Sequence, residues 1–151
     1  MLIKDVLAQK KDSQVVTVDA LQELVTAAQK MCEQKVSALL VHHSEPYVPV
    51  GILTVHDILK YFAYQHERIN KVNVEDVMSK NPVVITLEDT VDHAKAVMIE
   101  GSFHHLPVIE KDKVIGIVSL SDLVKAKLNE TTIEVKYLRD YIAASFDMPI
   151  L

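Results

Sequence analysis

Apolar and polar positions along the chain fall into blocks, and the blocks occur twice. A β-rich run at residues 15–18 is followed by Leu21, Leu24, Ala28 and Met31, the three-to-four spacing of one helix face. An apolar strand is predicted at 38–41, a turn after it, a strand at 48–54 and a helix at about 55–65. The second passage repeats the order. A strand is predicted at 83–87, a helix carries Val91, Ala94 and Met98, strands follow at 106–109 and 113–119, and a helix covers 120–127. Asp19 and Asp89 stand where the first helix of each passage is expected to be capped. Each passage therefore reads β-α-β-β-α, and the whole reads as an α/β protein.

The repetition extends to residue identity. Gly51-Ile-Leu-Thr-Val-His-Asp-Ile-Leu-Lys lies beside Gly116-Ile-Val-Ser-Leu-Ser-Asp-Leu-Val-Lys. Met31-Cys-Glu matches Met98-Ile-Glu, Val16-Thr-Val matches Ile85-Thr-Leu, and the leader Ile3-Lys-Asp-Val-Leu matches Val74-Glu-Asp-Val-Met. Four blocks in one order indicate a duplication, with a first repeat at 2–66 and a second at 72–128. One copy of about 60 residues buries its sheet face poorly. Two copies packed sheet to sheet solve this, and create a pseudo-twofold axis with two related clefts. Residues 129–151 belong to neither copy. They predict an amphipathic C-terminal helix with Ile133, Val135, Leu138, Tyr141 and Ile142 on roughly one face, which suits packing or dimerisation.

Composition narrows the function. The 151 residues carry 16 Lys plus Arg against 21 Asp plus Glu, a net charge of −5 with no basic run. Such a chain is a poor match for nucleic acid or for an anionic membrane surface. No stretch reaches the roughly 20 apolar residues of a membrane span, so a cytoplasmic address is expected. The single cysteine, Cys32, excludes an internal disulfide and is expected to pack as a small hydrophobe. With only three glycines, a glycine-rich phosphate loop is not available.

The chemistry concentrates in Thr54-x-x-Asp57 and its copy Ser119-x-x-Asp122. A hydroxyl at a helix start with an acid three positions on is a capping box. A strand running into such a capped helix also presents free N–H groups and a positive dipole end, which suit a phosphate. The hydroxyl can donate to a phosphate oxygen, and the carboxylate can accept from two sugar hydroxyls. Phe103-His104-His105-Leu106-Pro107 is the second constellation. Adjacent histidines entering a strand point to opposite faces, so one at most is expected to face a cleft, where it could meet a phosphate. Ser37 and Ala38 hold the matching places in the first repeat, so the two clefts are expected to differ. His42-His43 lacks the accompanying acids or cysteines of a metal site. Ser119, His104 and Asp122 have the residue types of a triad without a nucleophile elbow, so neither metal binding nor catalysis is expected. Lys10-Lys11-Asp12 reads as a solvated turn.

The two Gly-apolar-apolar-Ser/Thr-x-x-Asp blocks, with Leu106-Pro107-Val108 ahead of the second, resemble a tandem pair of CBS domains, the regulatory module of cystathionine β-synthase. The resemblance covers about residues 2 to 128, and the tail is similar to the C-terminal helix of stand-alone bacterial CBS-pair proteins. It implies a non-catalytic regulatory module without a cofactor, binding an adenosine-containing ligand such as AMP, ADP, ATP, NAD or S-adenosylmethionine. It implies a homodimer acting on a separate, unidentified protein. It places Thr54 and Asp57 in one cleft, and Ser119, Ser121 and Asp122 in the other. His104 and His105 occupy the places of phosphate-binding basic residues. The leader strand of the opposite repeat supplies the adenine wall: Lys4, Val15 and Val16 for the second cleft, and Lys80, Pro82 and Val83 for the first. His56 stands beside Asp57 where relatives commonly carry Arg, and neither Ser37 nor Ala38 is basic. The first cleft is therefore expected to bind more weakly, and the histidines of the second to favour phosphate as pH falls toward 6. The alternative is a ligand-free structural dimerisation module whose Ser/Thr–Asp pairs only cap helices.

Overall fold

The computed structural model describes residues 1–10, 14–45, 48–65 and 71–146. Two mixed sheets carry the two repeats. In the first, β1 (Thr17–Asp19) lies parallel to β2 (Ala38–His42), which pairs antiparallel with β3 (Gly51–Thr54), and β3 pairs with the short β4 (Ser79–Lys80). In the second, β5 (Ile85–Thr86) lies parallel to β6 (His105–Glu110), which pairs antiparallel with β7 (Lys113–Ser119). The parallel pairs require crossovers, supplied by α2 (Leu24–Gln34) and α4 (Val91–Gly101). Each last strand runs directly into a helix, α3 (Val55–Gln65) or α5 (Leu120–Phe146). The registers correspond: Ala38 faces Thr54 as His105 faces Ser119. The α/β architecture and the duplication are as the pattern predicts.

Burial follows one stripe per crossover helix, at Leu24, Ala27 and Met31 in α2 and at Val91, Ala94 and Met98 in α4. Leu21 precedes α2 and is exposed, and Cys32 is exposed one position past the stripe rather than packed. The caps also differ from expectation. Thr90, not Asp89, caps α4 by accepting from the His93 amide, while Asp89 accepts from Thr86. Asp19 accepts from the Leu21 amide, and α2 begins only at Leu24.

The leaders fold against the opposite repeat. The first is not a strand but a helix, α1 (Ile3–Gln9), and its Ile3 and Val6 are buried with Ile85, Val91 and Met98 of the second repeat. Val72 and Val74 of the second leader are buried with Val18, Leu24 and Leu53 of the first. Backbone bonds repeat this exchange. Ile3 N donates to Asp89 O as Val74 N donates to Gln22 O, and Val91 N donates to Met1 O as Leu24 N donates to Val72 O. The leaders then diverge. The second makes one 3₁₀ turn, Val74–Asp76, and enters β4, and Asn81 ahead of Pro82 takes a positive φ of 50°. β4 comes so close to β3 that a Cβ on Gly51 would lie 2.7 Å from the Ser79 carbonyl oxygen, so only glycine permits the pairing. The predicted tail helix is continuous with the closing helix of the second repeat. Leu123 and Ala126 of α5 are buried, whereas Ile133, Leu138, Tyr141 and Ile142 are exposed. The Lys11-Asp12 part of the predicted turn, Pro46 and Tyr47 of the first hairpin, and the end of the tail lie outside the described residues. Among the described residues, no helix is long and apolar enough to cross a membrane.

Candidate functional site

Both strand-to-helix junctions close as reciprocal capping boxes. The Thr54 amide donates to Asp57 Oδ2 at 2.9 Å, and the Asp57 amide donates to Thr54 Oγ1 at 3.1 Å. The Ser119 amide donates to Asp122 Oδ2 at 2.8 Å, and the Asp122 amide to Ser119 Oγ at 3.1 Å. Each box satisfies amides at the helix start that have no helical partner and holds one carboxylate residue in the lining of a cleft.

The clefts are unequal in size and content. The first measures about 610 Å³ and is lined by Thr54, His56 and Asp57, by the second leader's Lys80, Pro82 and Val83, and by Phe103 and His104. The second measures about 280 Å³ and is lined by Ser119 and Asp122, by Val15 and Val16, and by Lys10. Ser37 and His105 line both and share a hydrogen bond of 2.9 Å, so this pair forms a common wall.

Three expected placements are corrected. His104 lines the first cleft rather than the second, and His105 lines both, so both imidazoles reach a cleft where one at most was expected. Lys4 lines neither cleft. α1 carries it to the surface, 3.6 Å from Glu88. Ser121 also lies outside both linings, but its hydroxyl is 2.8 Å from that of Ser119. Sequence reasoning missed Phe103 and Lys10. Lys10 follows α1 and reaches into the second cleft, where its ammonium lies 3.0 Å from Asp122 Oδ2 and donates to the Ile117 carbonyl at 2.7 Å. The signal was present in the rule that brings the opposite leader to each cleft, since Lys80 holds the comparable place in the other leader.

Electrostatics separate the charged groups. Burial pushes the Asp122 carboxyl upward, but the bonds from Ser119 and the Lys10 ammonium outweigh it and hold the group below the usual carboxylate range. Burial, helped by neighbouring His104, holds His105 below the ordinary imidazole value, against the smaller pull of Asp122 and Asp57. The second cleft thus contains a standing carboxylate–ammonium pair beside an imidazole biased toward neutrality.

A family model described as CBS domain matches residues 3–64 and 74–129. The mitochondrial CBS domain-containing protein CBSX3 of Arabidopsis thaliana is 31% identical over 123 residues, covering 80% of this chain and 60% of that protein. CBSCBSPB1 of the same plant is 33% identical over 72% of this chain, which spans only 20% of its length. Among solved structures, a CBS-domain containing protein from Agrobacterium tumefaciens superposes with a TM-score of 0.78 at 33% identity, covering 83% of this chain and 92% of that one. A CBS domain pair in complex with 5′-methylthioadenosine and S-adenosyl-L-methionine gives 0.72 at 25% identity, covering 83% and 98%. CBSX2 in complex with AMP gives 0.69 at 25% identity, covering 86% and 98%. Both repeats match the family model and fold as these pairs do, and the chain belongs to the CBS-domain family.

Proposed function

We propose that the protein is a regulatory module that binds an adenosine-containing ligand between its repeats, and acts by binding rather than by turnover. The first cleft is the principal site. The observation that carries this reading is the Thr54–Asp57 box in the lining of a cavity of about 610 Å³, within the roughly 300–1,000 Å³ of small-molecule sites. Asp57 offers a ribose acceptor, and Lys80, His56 and His104 offer phosphate donors. Pro82, Val83 and Phe103 supply an apolar wall for a base. The two histidines expected to favour the second cleft do not do so, because His104 lines only the first and His105 lines both. The adenosine-type ligands of two structural relatives agree with this reading. The exposed apolar residues of α3 and α5 support a homodimer, which would present ligand-dependent surfaces to a separate regulated protein. The structural alternative also has support, since each carboxylate already serves its cap.

Calorimetry with AMP, ATP, NAD and S-adenosylmethionine tests the proposal. At least one should bind saturably, and Asp57→Ala should weaken the tighter site by about ten- to a hundredfold, the worth of a lost charged hydrogen bond. Thermal unfolding controls for the lost cap, expected to cost about 0.5–2 kcal/mol. Absence of binding by all four ligands would leave the structural alternative.

A further inference from the structure

The Lys10 ammonium reaches over the edge of β7 and is held there by the Ile117 carbonyl and Asp122 Oδ2. That same oxygen accepts the Ser119 amide. The first cleft is built otherwise. The β4 backbone pairs with Ile52, the residue matching Ile117, and Asp57 Oδ1 accepts from the Ser79 hydroxyl at 3.5 Å. Among the described residues, no ion pair of Asp57 accompanies it. The Lys10 and Asp122 side chains are 25% and 18% exposed, so each charge depends on the other more than a surface pair does.

Resting on the adenosine reading of the clefts, we propose that Lys10 selects ligands of the second cleft by charge, admitting nucleoside 5′-phosphates and disfavouring adenosyl ligands without an anion. A ribose diol that takes both Asp122 oxygens competes for Oδ2, which already holds the Ser119 amide and the ammonium, and so displaces the ammonium. The displaced ammonium remains in a cleft of about 280 Å³ and needs a new counter-ion. A 5′-phosphate brings one. A 5′-thioether brings none, and a sulfonium adds a second cation. Lys35 lines the same cleft but is exposed, where water screens it. His105 is biased toward its neutral form and substitutes poorly for the ammonium.

Titration of the ¹⁵N-labelled protein with AMP and with 5′-methylthioadenosine tests this site by site. The Ile117 and Ser119 amides report the second cleft, and the Ile52 and Thr54 amides the first. In the second cleft AMP should bind about tenfold tighter or more. Lys10→Met should remove most of that preference, while Lys10→Arg should keep it, and the first cleft's preference should stay unchanged in both. Lys10→Gln replaces the Met variant if its spectrum shows loss of fold. A preference at Ile117 and Ser119 that survives loss of the charge, or that is absent from the native protein, would overturn the proposal. Binding at Ile52 and Thr54 alone would overturn it while sparing the adenosine reading. No response at either pair of amides would overturn both.

Discussion

His105 shares one wall with both clefts and is hydrogen-bonded to Ser37 of the other repeat, so its protonation bears on both. In the unfolded chain its imidazole titrates near 6.5. In the fold, burial and His104 hold the value lower. Just below pH 6.5 the unfolded state therefore binds more protons. The contribution of His105 is fully present above that pH and is lost as pH falls through 6.5 toward the folded value. Urea unfolding at pH 7.5 and 5.5 should show stability falling on acidification, and His105→Gln should reduce that fall. An identical fall in the variant would remove His105 from the account. At this scale the sequence was informative wherever chemistry is local. The Thr54–Asp57 and Ser119–Asp122 boxes depend only on residues three apart and were legible. His104 and His105 both line the first cleft although the i, i+1 rule sends them to opposite faces, because His105 stands in the wall that the two clefts share. Lys10 reads as part of a solvated turn because nothing in its neighbourhood along the chain shows Asp122 waiting 3.0 Å away.

The elements were legible where periodicity and punctuation agree. α3 follows the Thr54 cap over the predicted residues, and β7 spans the predicted 113–119. The leaders were not. Two similar pentapeptides give a helix in one repeat and a 3₁₀ turn in the other, where the chain continues into the pairing of β4 with β3. The single helix α5 was read as two, since its burial ends at Ala126 although its hydrogen bonding does not. Beyond that point α5 exposes Leu128, Ile133, Tyr137, Leu138 and Tyr141. A run of apolar groups this long on one helix is expected to be covered in a dimer. Removing residues 130–151 spares Leu123 and Ala126, so the truncated chain should fold with little change in melting temperature. Its sedimentation should shift toward monomer at tens of micromolar. A truncated chain that sediments as the full-length protein does would assign the extension another task.

At the scale of the molecule, the exchange of leaders decides how the repeats depend on each other. Ile3 and Val6 complete the second core, and Val72 and Val74 complete the first. Neither repeat, cut at its sequence boundary, keeps all the side chains its core requires. The exchange also places the clefts, because each leader emerges from the opposite core at a capped helix and carries Lys10 or Pro82 and Val83 to it. The duplication was visible in the sequence. The swap was legible only through the family resemblance, since equal hydrophobicity in both leaders satisfies either core. Duplication with exchanged leaders gives the molecule two clefts of one design and different content. The roomier one bears Asp57, whose carboxylate, among the described residues, pairs with no lysine as Asp122 does. A crystal structure determined after soaking with AMP tests this central claim most directly. The account predicts adenosine density in the first cleft, with ribose hydroxyls within hydrogen-bond distance of Asp57 and the base against Pro82 and Val83. A first cleft without nucleotide at millimolar AMP, or nucleotide bound away from both capping boxes, would contradict it.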